Sequence, residues 1–115
     1  MRFRVSAFLG VLVTVAGVVC IAGALQAVPA PDAATLFLHR CSMCHGRDGK
    51  GYAAIKTPNF TDPKWQASVK NKEMAEIIEH GKKGTAMPAF EGKLKQEEIR
   101  TLIKYIRSLG GSKGK

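Results

Sequence analysis

The hydrophobic positions of the chain form one long apolar run, followed by three segments with helical spacing. Residues 5–25 contain no charged residue. Further along, apolar side chains recur every three or four positions in segments 33–41, 72–80 and 96–109. The last segment is the clearest, with a stripe at Ile99, Leu102, Ile103, Ile106 and Leu109. The pattern predicts an all-α domain with three main helices and no strands.

The stretches between these helices are long, polar and rich in glycine and proline. Residues 46–61 and 82–92 show no regular period and are predicted to be loops. Asp32 has the side chain and position of an N-cap, and Gly81 those of a C-cap. Loops longer than about 12–15 residues are uncommon in a compact domain unless they are functional. A large apolar ligand would organise such loops around an otherwise thin core.

The N-terminus has the pattern of an export segment. Arg2 and Arg4 precede the uncharged run, whose small residues near its end suit cleavage. The run is also long enough to remain as a membrane anchor. Either outcome places residues 28–115 outside the cytoplasm. We predict a signal peptide or anchor at 1–27, a linker at 28–32, a domain at 33–111 and a flexible tail at 112–115, with Cys20 as an apolar residue of the leader.

The charge balance points to an acidic partner. The chain has 18 Lys and Arg against 9 Asp and Glu, a net charge of +9. The basic residues are scattered and not interleaved with aromatic residues, which argues against nucleic-acid binding. Such a balance suggests an acidic protein surface or anionic lipid as the partner.

The candidate chemistry lies in Cys41-Ser42-Met43-Cys44-His45. A structural zinc site needs four ligands, and here the fourth ligand would have to be His80 or His39. A redox dithiol belongs at the start of a helix in a fold with βαβ units, which this chain lacks. Cys-x-x-Cys-His is also the attachment signature of c-type haem. Cysteines three apart on a helix lie on one face, so both can form thioethers to one porphyrin, and His45 can bind its iron.

A c-type haem also needs a second axial ligand or an open position. The candidates are Met43, Met74, Met87, His39 and His80. Met87 is favoured because it lies in the non-periodic loop Gly84-Thr85-Ala86-Met87-Pro88-Ala89-Phe90, where helix packing does not explain a methionine.

These motifs together resemble the small class I cytochromes c, and their loop lengths resemble the compact bacterial type. The resemblance covers residues 33–109 and rests on CSMCHG at 41–46, DGKG at 48–51, PNFT at 58–61, Trp65, Ile78, Gly81-Lys82, MPAF at 87–90 and the last helix. It implies one covalent haem c bound through Cys41 and Cys44, with His45 and Met87 as axial ligands.

The resemblance implies further roles around the haem. The Pro58 carbonyl would accept the second ring N–H of His45 and fix its tautomer. Trp65 would lie near the propionates, Tyr105 would contribute to the haem-binding region, and Phe37 would pack on Leu102 or Tyr105 where the first and last helices cross.

The implied function is electron transfer outside the cytoplasm, by a monomeric carrier that is not an enzyme. Its partners would be redox proteins, and residues 5–25 would tether it if the leader is retained, either as an anchored carrier or as a subunit of a respiratory complex. Two alternatives stay open. One is a haem enzyme or ligand sensor in which Met87 does not bind, and the other is a structural zinc module.

Overall fold

A computed structural model describes residues 31–111. They form five α-helices and one 3₁₀ turn: α1 (Ala33–Arg40), α2 (Ser42–His45), the 3₁₀ turn (Ala53–Ile55), α3 (Pro63–Ser68), α4 (Asn71–His80) and α5 (Gln96–Gly111). The predicted leader, its Cys20, most of the linker and the tail at 112–115 lie outside the described residues, so they stay predictions. Within the described part of the chain, no helix is long and apolar enough to cross a membrane.

Local side chains explain where several helices begin and end. Asp32 caps α1 as predicted, because its carboxylate accepts a hydrogen bond from the Thr35 amide at 3.0 Å. Asp62 caps α3 in the same way through the Lys64 amide at 2.9 Å, and Pro63 occupies the first turn. Gly81 ends α4 with φ +76°, which confirms the predicted C-cap.

The three predicted main helices correspond to α1, α4 and α5, and the structure adds shorter ones. A break at Cys41 separates α1 from α2, and the predicted loop 46–61 contains the 3₁₀ turn. The Asp62-Pro63 pair begins the six-residue α3. These short helices were harder to predict because a single turn shows no apolar period.

The core forms where α1 and α4 pack against α5. The ring centroids of Phe37 and Tyr105 lie 5.2 Å apart, which confirms the predicted contact between the first and last helices. Within residues 31–111, ten hydrophobic residues are buried: Leu36, Phe37, Phe60, Met74, Ile78, Leu94, Ile99, Leu102, Ile103 and Ile106. Four members of the predicted α5 stripe are among them, and Leu109 packs partly buried against the cluster.

Candidate functional site

The Cys-x-x-Cys-His motif forms one turn of helix at the end of α1. The amides of Cys44 and His45 both donate to the Cys41 carbonyl, at 3.2 and 3.0 Å. Cys41 is half-buried against the core, Cys44 is exposed, and Met43 between them is 89 % exposed. The turn therefore places both thiols and the imidazole within one short, well-anchored segment.

The two cysteines are free thiols in this structure. Burial raises the pKa of the Cys41 thiol to about 11. Redox-active dithiols instead have a cysteine of lowered pKa at a helix N-terminus. The raised pKa of Cys41 argues against the dithiol interpretation. So does the fold, because residues 31–111 contain no strand.

The zinc alternative lacks a ligand set in residues 31–111. No group of three or more His, Cys, Asp or Glu side chains comes together there. His39 is exposed, and His80 lies 3.6 Å from a Glu91 carboxylate oxygen and 3.9 Å from one of Glu79. Neither His39 nor His80 therefore joins Cys41, Cys44 and His45 as the fourth ligand that a structural zinc site requires.

Among residues 31–111, His45 is the one polar or charged residue that is buried, with 9 % of its surface exposed. Its ring stacks on Phe60, with centroids 4.7 Å apart and planes 19° from parallel. Burial lowers the pKa of the imidazole, which favours the neutral form that binds metals. Nδ1 is fully buried and has no hydrogen-bond partner among the described residues.

Pro58 is brought to the segment that carries His45, although the predicted hydrogen bond is not formed here. The Gly51 amide donates to the His45 carbonyl at 2.8 Å. A Cβ added at Gly51 would lie only 2.6 Å from the Pro58 carbonyl oxygen. Gly51 thus packs between His45 and Pro58, and the bond from Nδ1 to the Pro58 carbonyl stays a prediction for the haem-bound protein.

Met87 lies on a loop that is tied to the end of α4. Its carbonyl accepts a hydrogen bond from the Lys82 amide at 3.3 Å, and a Cβ at Gly81 would lie 2.8 Å from that carbonyl. The Phe90 amide donates to the carbonyls of Ile78 and Glu79. The Met87 side chain is half-buried against the core. The loop therefore holds a thioether at the core surface in a constrained backbone.

Four aromatic residues of the described part, Phe37, Phe60, Trp65 and Tyr105, form one connected group. Trp65 packs on Phe60 with ring centroids 4.8 Å apart, and Phe60 meets Phe37 edge-on at 6.2 Å. Tyr105 reaches this group through Phe37. Phe60 lies in the PNFT motif at 58–61, but the sequence pattern predicted no role for it. Its placement against His45 depends on a contact across 15 positions that no local period encodes.

These features fit a covalently bound haem. Two free thiols three positions apart precede a neutral histidine whose buried Nδ1 has no partner. A half-buried thioether lies on a separate, constrained loop. Imidazole and thioether are the axial donors of haem in many cytochromes c.

The comparisons with known proteins agree with this chemistry. Residues 29–106 match the family model described as cytochrome c oxidase, cbb3-type, subunit III. This match covers well over half of the chain. The chain belongs to this family.

Relatives within the cbb3-type subunit III family are longer than this chain. It is 37 % identical over 105 residues to the cbb3-type cytochrome c oxidase subunit FixP of Bradyrhizobium diazoefficiens, covering 89 % of this chain and 36 % of that protein. It is 32 % identical over 80 residues to subunit CcoP of Cereibacter sphaeroides, covering 70 % and 27 %. The chain thus spans about a third of the length of these curated relatives.

A solved structure shows the same fold. The chain is similar to the KustC0563 c-type cytochrome, with 30 % identity and a TM-score of 0.63, covering 69 % of this chain and 98 % of that one. Together, family and fold confirm the predicted c-type cytochrome with an all-helical cytochrome c fold and haem c as its kind of cofactor. The axial ligands and the individual haem-binding residues stay predictions.

Proposed function

We propose that this chain is a single-haem electron carrier that works outside the cytoplasm and passes electrons between respiratory redox proteins. The observation that carries the proposal is the His45 site, a buried neutral imidazole with an unpartnered Nδ1 directly after two free cysteines. The chain contains one Cys-x-x-Cys-His motif, which supports one covalent haem. When bound, haem iron supplies a one-electron ferric–ferrous couple.

In this proposal the residues of the chain bind and orient the haem. Cys41 and Cys44 would hold the haem through thioethers, and His45 and Met87 would bind its iron. With both axial positions filled, no substrate reaches the metal, so the chain acts as a carrier and not as a catalyst. The contrasting role, a haem enzyme or ligand sensor, requires that Met87 does not bind.

The exposed surface of residues 40–56, here called the basic face, supports an acidic redox partner. This segment carries four basic residues and one acidic residue, whereas residues 71–91 carry three basic and four acidic residues. Met43, Tyr52 and Ile55 are 89 %, 49 % and 54 % exposed within it. Protein interfaces combine an apolar centre with a polar rim, and charge complementarity steers the encounter. The basic face has both features next to the haem-attachment cysteines.

We infer an oxidase or another respiratory protein as the partner class, because the relatives are named as subunits of cbb3-type oxidases. The export segment at 1–27 supports a location at the outer face of the cytoplasmic membrane, with residues 5–25 as a tether if they are retained.

The first test is a haem stain on a denaturing gel of the chain expressed with haem-attachment machinery. Covalent haem survives denaturation, so we expect a stained band for the wild type and none for Cys41→Ala/Cys44→Ala. An unstained wild-type band would refute the proposal.

The second test is Met87→Ala in the haem-loaded protein. We expect loss of the far-red absorption band of methionine-ligated ferric haem and a lower reduction potential, because thioether ligation raises the potential. The matched control is Met43→Ala, which removes an exposed methionine and should leave both properties unchanged. An unchanged Met87→Ala spectrum would exclude Met87 as a ligand. Carbon monoxide binding by the wild type would favour the enzyme or sensor alternative.

A further inference from the structure

The contact between Phe60 and His45 is unusually well defined. Both rings are buried, with 5 % and 9 % of their residue surfaces exposed. Their centroids are 4.7 Å apart and their planes are 19° from parallel. Aromatic rings at such a distance prefer an offset stack, which limits rotation of either ring.

Hydrogen bonds do not fix the imidazole ring in this structure. The backbone of His45 is held by Cys41 and Gly51, but its buried Nδ1 has no partner among the described residues. The last torsion of a histidine side chain is broad, so ring orientation needs an external constraint. The stack on Phe60 provides such a constraint, in addition to the bond to the Pro58 carbonyl that we predict for the haem-bound protein.

Phe60 is itself held from several directions. Its ring meets Phe37 edge-on and Trp65 at a tilt. Its amide donates to the Gly49 carbonyl at 2.8 Å. Its carbonyl accepts from the Gln66 side chain at 2.6 Å, and the same Gln66 nitrogen also donates to the Ile106 carbonyl at 2.9 Å. Gln66 therefore links Phe60 to α5.

We infer that Phe60 is a positioning residue, whose ring sets the orientation of the His45 imidazole as an iron ligand, and that Gln66 holds Phe60 in place. The inference rests on the proposed function, since it concerns His45 bound to haem. The orientation of an axial imidazole decides which iron d orbitals it overlaps, and so how unpaired spin is distributed over the porphyrin. Phe60 thus acts on the haem through His45.

The test uses proton NMR of the oxidised, haem-loaded full chain. The separation between the paramagnetically shifted haem methyl signals reports the orientation of the axial imidazole. We expect Phe60→Leu to narrow this separation, because an unstacked imidazole samples more orientations. Retention of the far-red methionine band would show that the opposite ligand is still bound.

The matched control is Phe37→Leu. Phe37 is fully buried and touches Phe60 and Tyr105, so its loss lowers the melting temperature. Its ring does not stack on His45 and meets Phe60 only edge-on, so we expect a much smaller narrowing of the methyl separation than in Phe60→Leu. Equal narrowing in both variants would reduce the effect to general loosening of the core and overturn the inference, as would no narrowing in Phe60→Leu.

A second pair leaves every aromatic ring in place, in case Phe60→Leu does not fold. Gln66→Leu removes the bonds to the Phe60 and Ile106 carbonyls and the side-chain acceptor of Arg107. We expect a smaller narrowing of the methyl separation than in Phe60→Leu. Gln96→Leu removes an exposed bond to Glu79 and should change nothing. The same spectrum for both glutamine variants would count against the inference. A wild-type chain without stained haem or without the methionine band would instead refute the proposed function, before any variant is compared.

Discussion

At the scale of single residues, two glycines decide how close the chain can come to the candidate haem-binding segments. Gly51 has φ +70°, and Gly81 has φ +76°. A Cβ at Gly51 would meet the carbonyls of Pro58 and Thr57 at 2.6 and 2.7 Å, and one at Gly81 would meet the Met87 carbonyl at 2.8 Å. Both positions require a glycine for its left-handed backbone and for the missing side chain.

We predict that Gly51→Ala destabilises the protein more than Gly84→Ala. Gly84 has φ +77° but open space around it, so alanine there costs only the left-handed strain, about 1–2 kcal/mol. At Gly51 backbone carbonyls must also move. Urea denaturation of the haem-loaded variants measures the difference, and equal midpoints would show that the close approach has no energetic weight.

At the scale of elements, α3 is attached to α5 mainly through polar side chains. No residue of α3 is buried. The Arg107 guanidinium on α5 donates to the carbonyls of Gln66 and Val69, to the Gln66 side chain at 2.9 Å and to the Asn71 side chain at 2.8 Å. Charged hydrogen bonds of this kind are stronger than neutral ones. One arginine therefore holds the end of α3 and the start of α4 against α5.

We expect Arg107→Met to lower the free energy of unfolding by about 2–3 kcal/mol, because it leaves several half-buried acceptors without a donor. Arg100→Met is the matched control. Arg100 pairs with Glu97 on the exposed face of the same helix, where ion pairs contribute little. A comparable loss in the two variants, measured by chemical denaturation, would contradict the role of Arg107 as a clamp.

At the scale of the whole molecule, charge is distributed unevenly over the chain. Arg40, Arg47, Lys50 and Lys56 are exposed on the basic face, where Asp48 is the one acidic residue. Lys50 lies 3.9 Å from Asp48, an exposed pair that solvent screens. Apart from this pair, Arg40, Arg47 and Lys56 keep the basic face positively charged. This face includes Cys41 and Cys44, which attach the haem in our proposal.

We predict that the reduced protein transfers electrons to anionic ferricyanide more slowly as ionic strength rises, and to a cationic cobalt complex more rapidly. Arg47→Glu should slow the ferricyanide reaction more than Lys72→Glu, which makes the same charge change on α4. Stopped-flow absorbance measures both rates. Equal slowing by the two variants would show that only net charge matters and that the basic face is not the site of electron exit.

The main helices, their caps and the Cys-x-x-Cys-His motif could be recognised from neighbouring residues alone. The caps at Asp32 and Gly81 and the apolar stripe of α5 act over one or two helical turns. The helix ends and the buried face can therefore be predicted from residues close together in the sequence. Cys41, Cys44 and His45 also lie close together in the sequence. Met87 could be proposed because it lies in a loop without helical spacing.

The contacts around those residues depend on the tertiary fold. The stack of Phe60 on His45, the Gln66 link and the Arg107 clamp join positions far apart in the chain, up to 41 residues for Arg107 and Gln66. Local periodicity cannot encode such contacts, because they arise from the way α3 and the loops fold back onto α1 and α5.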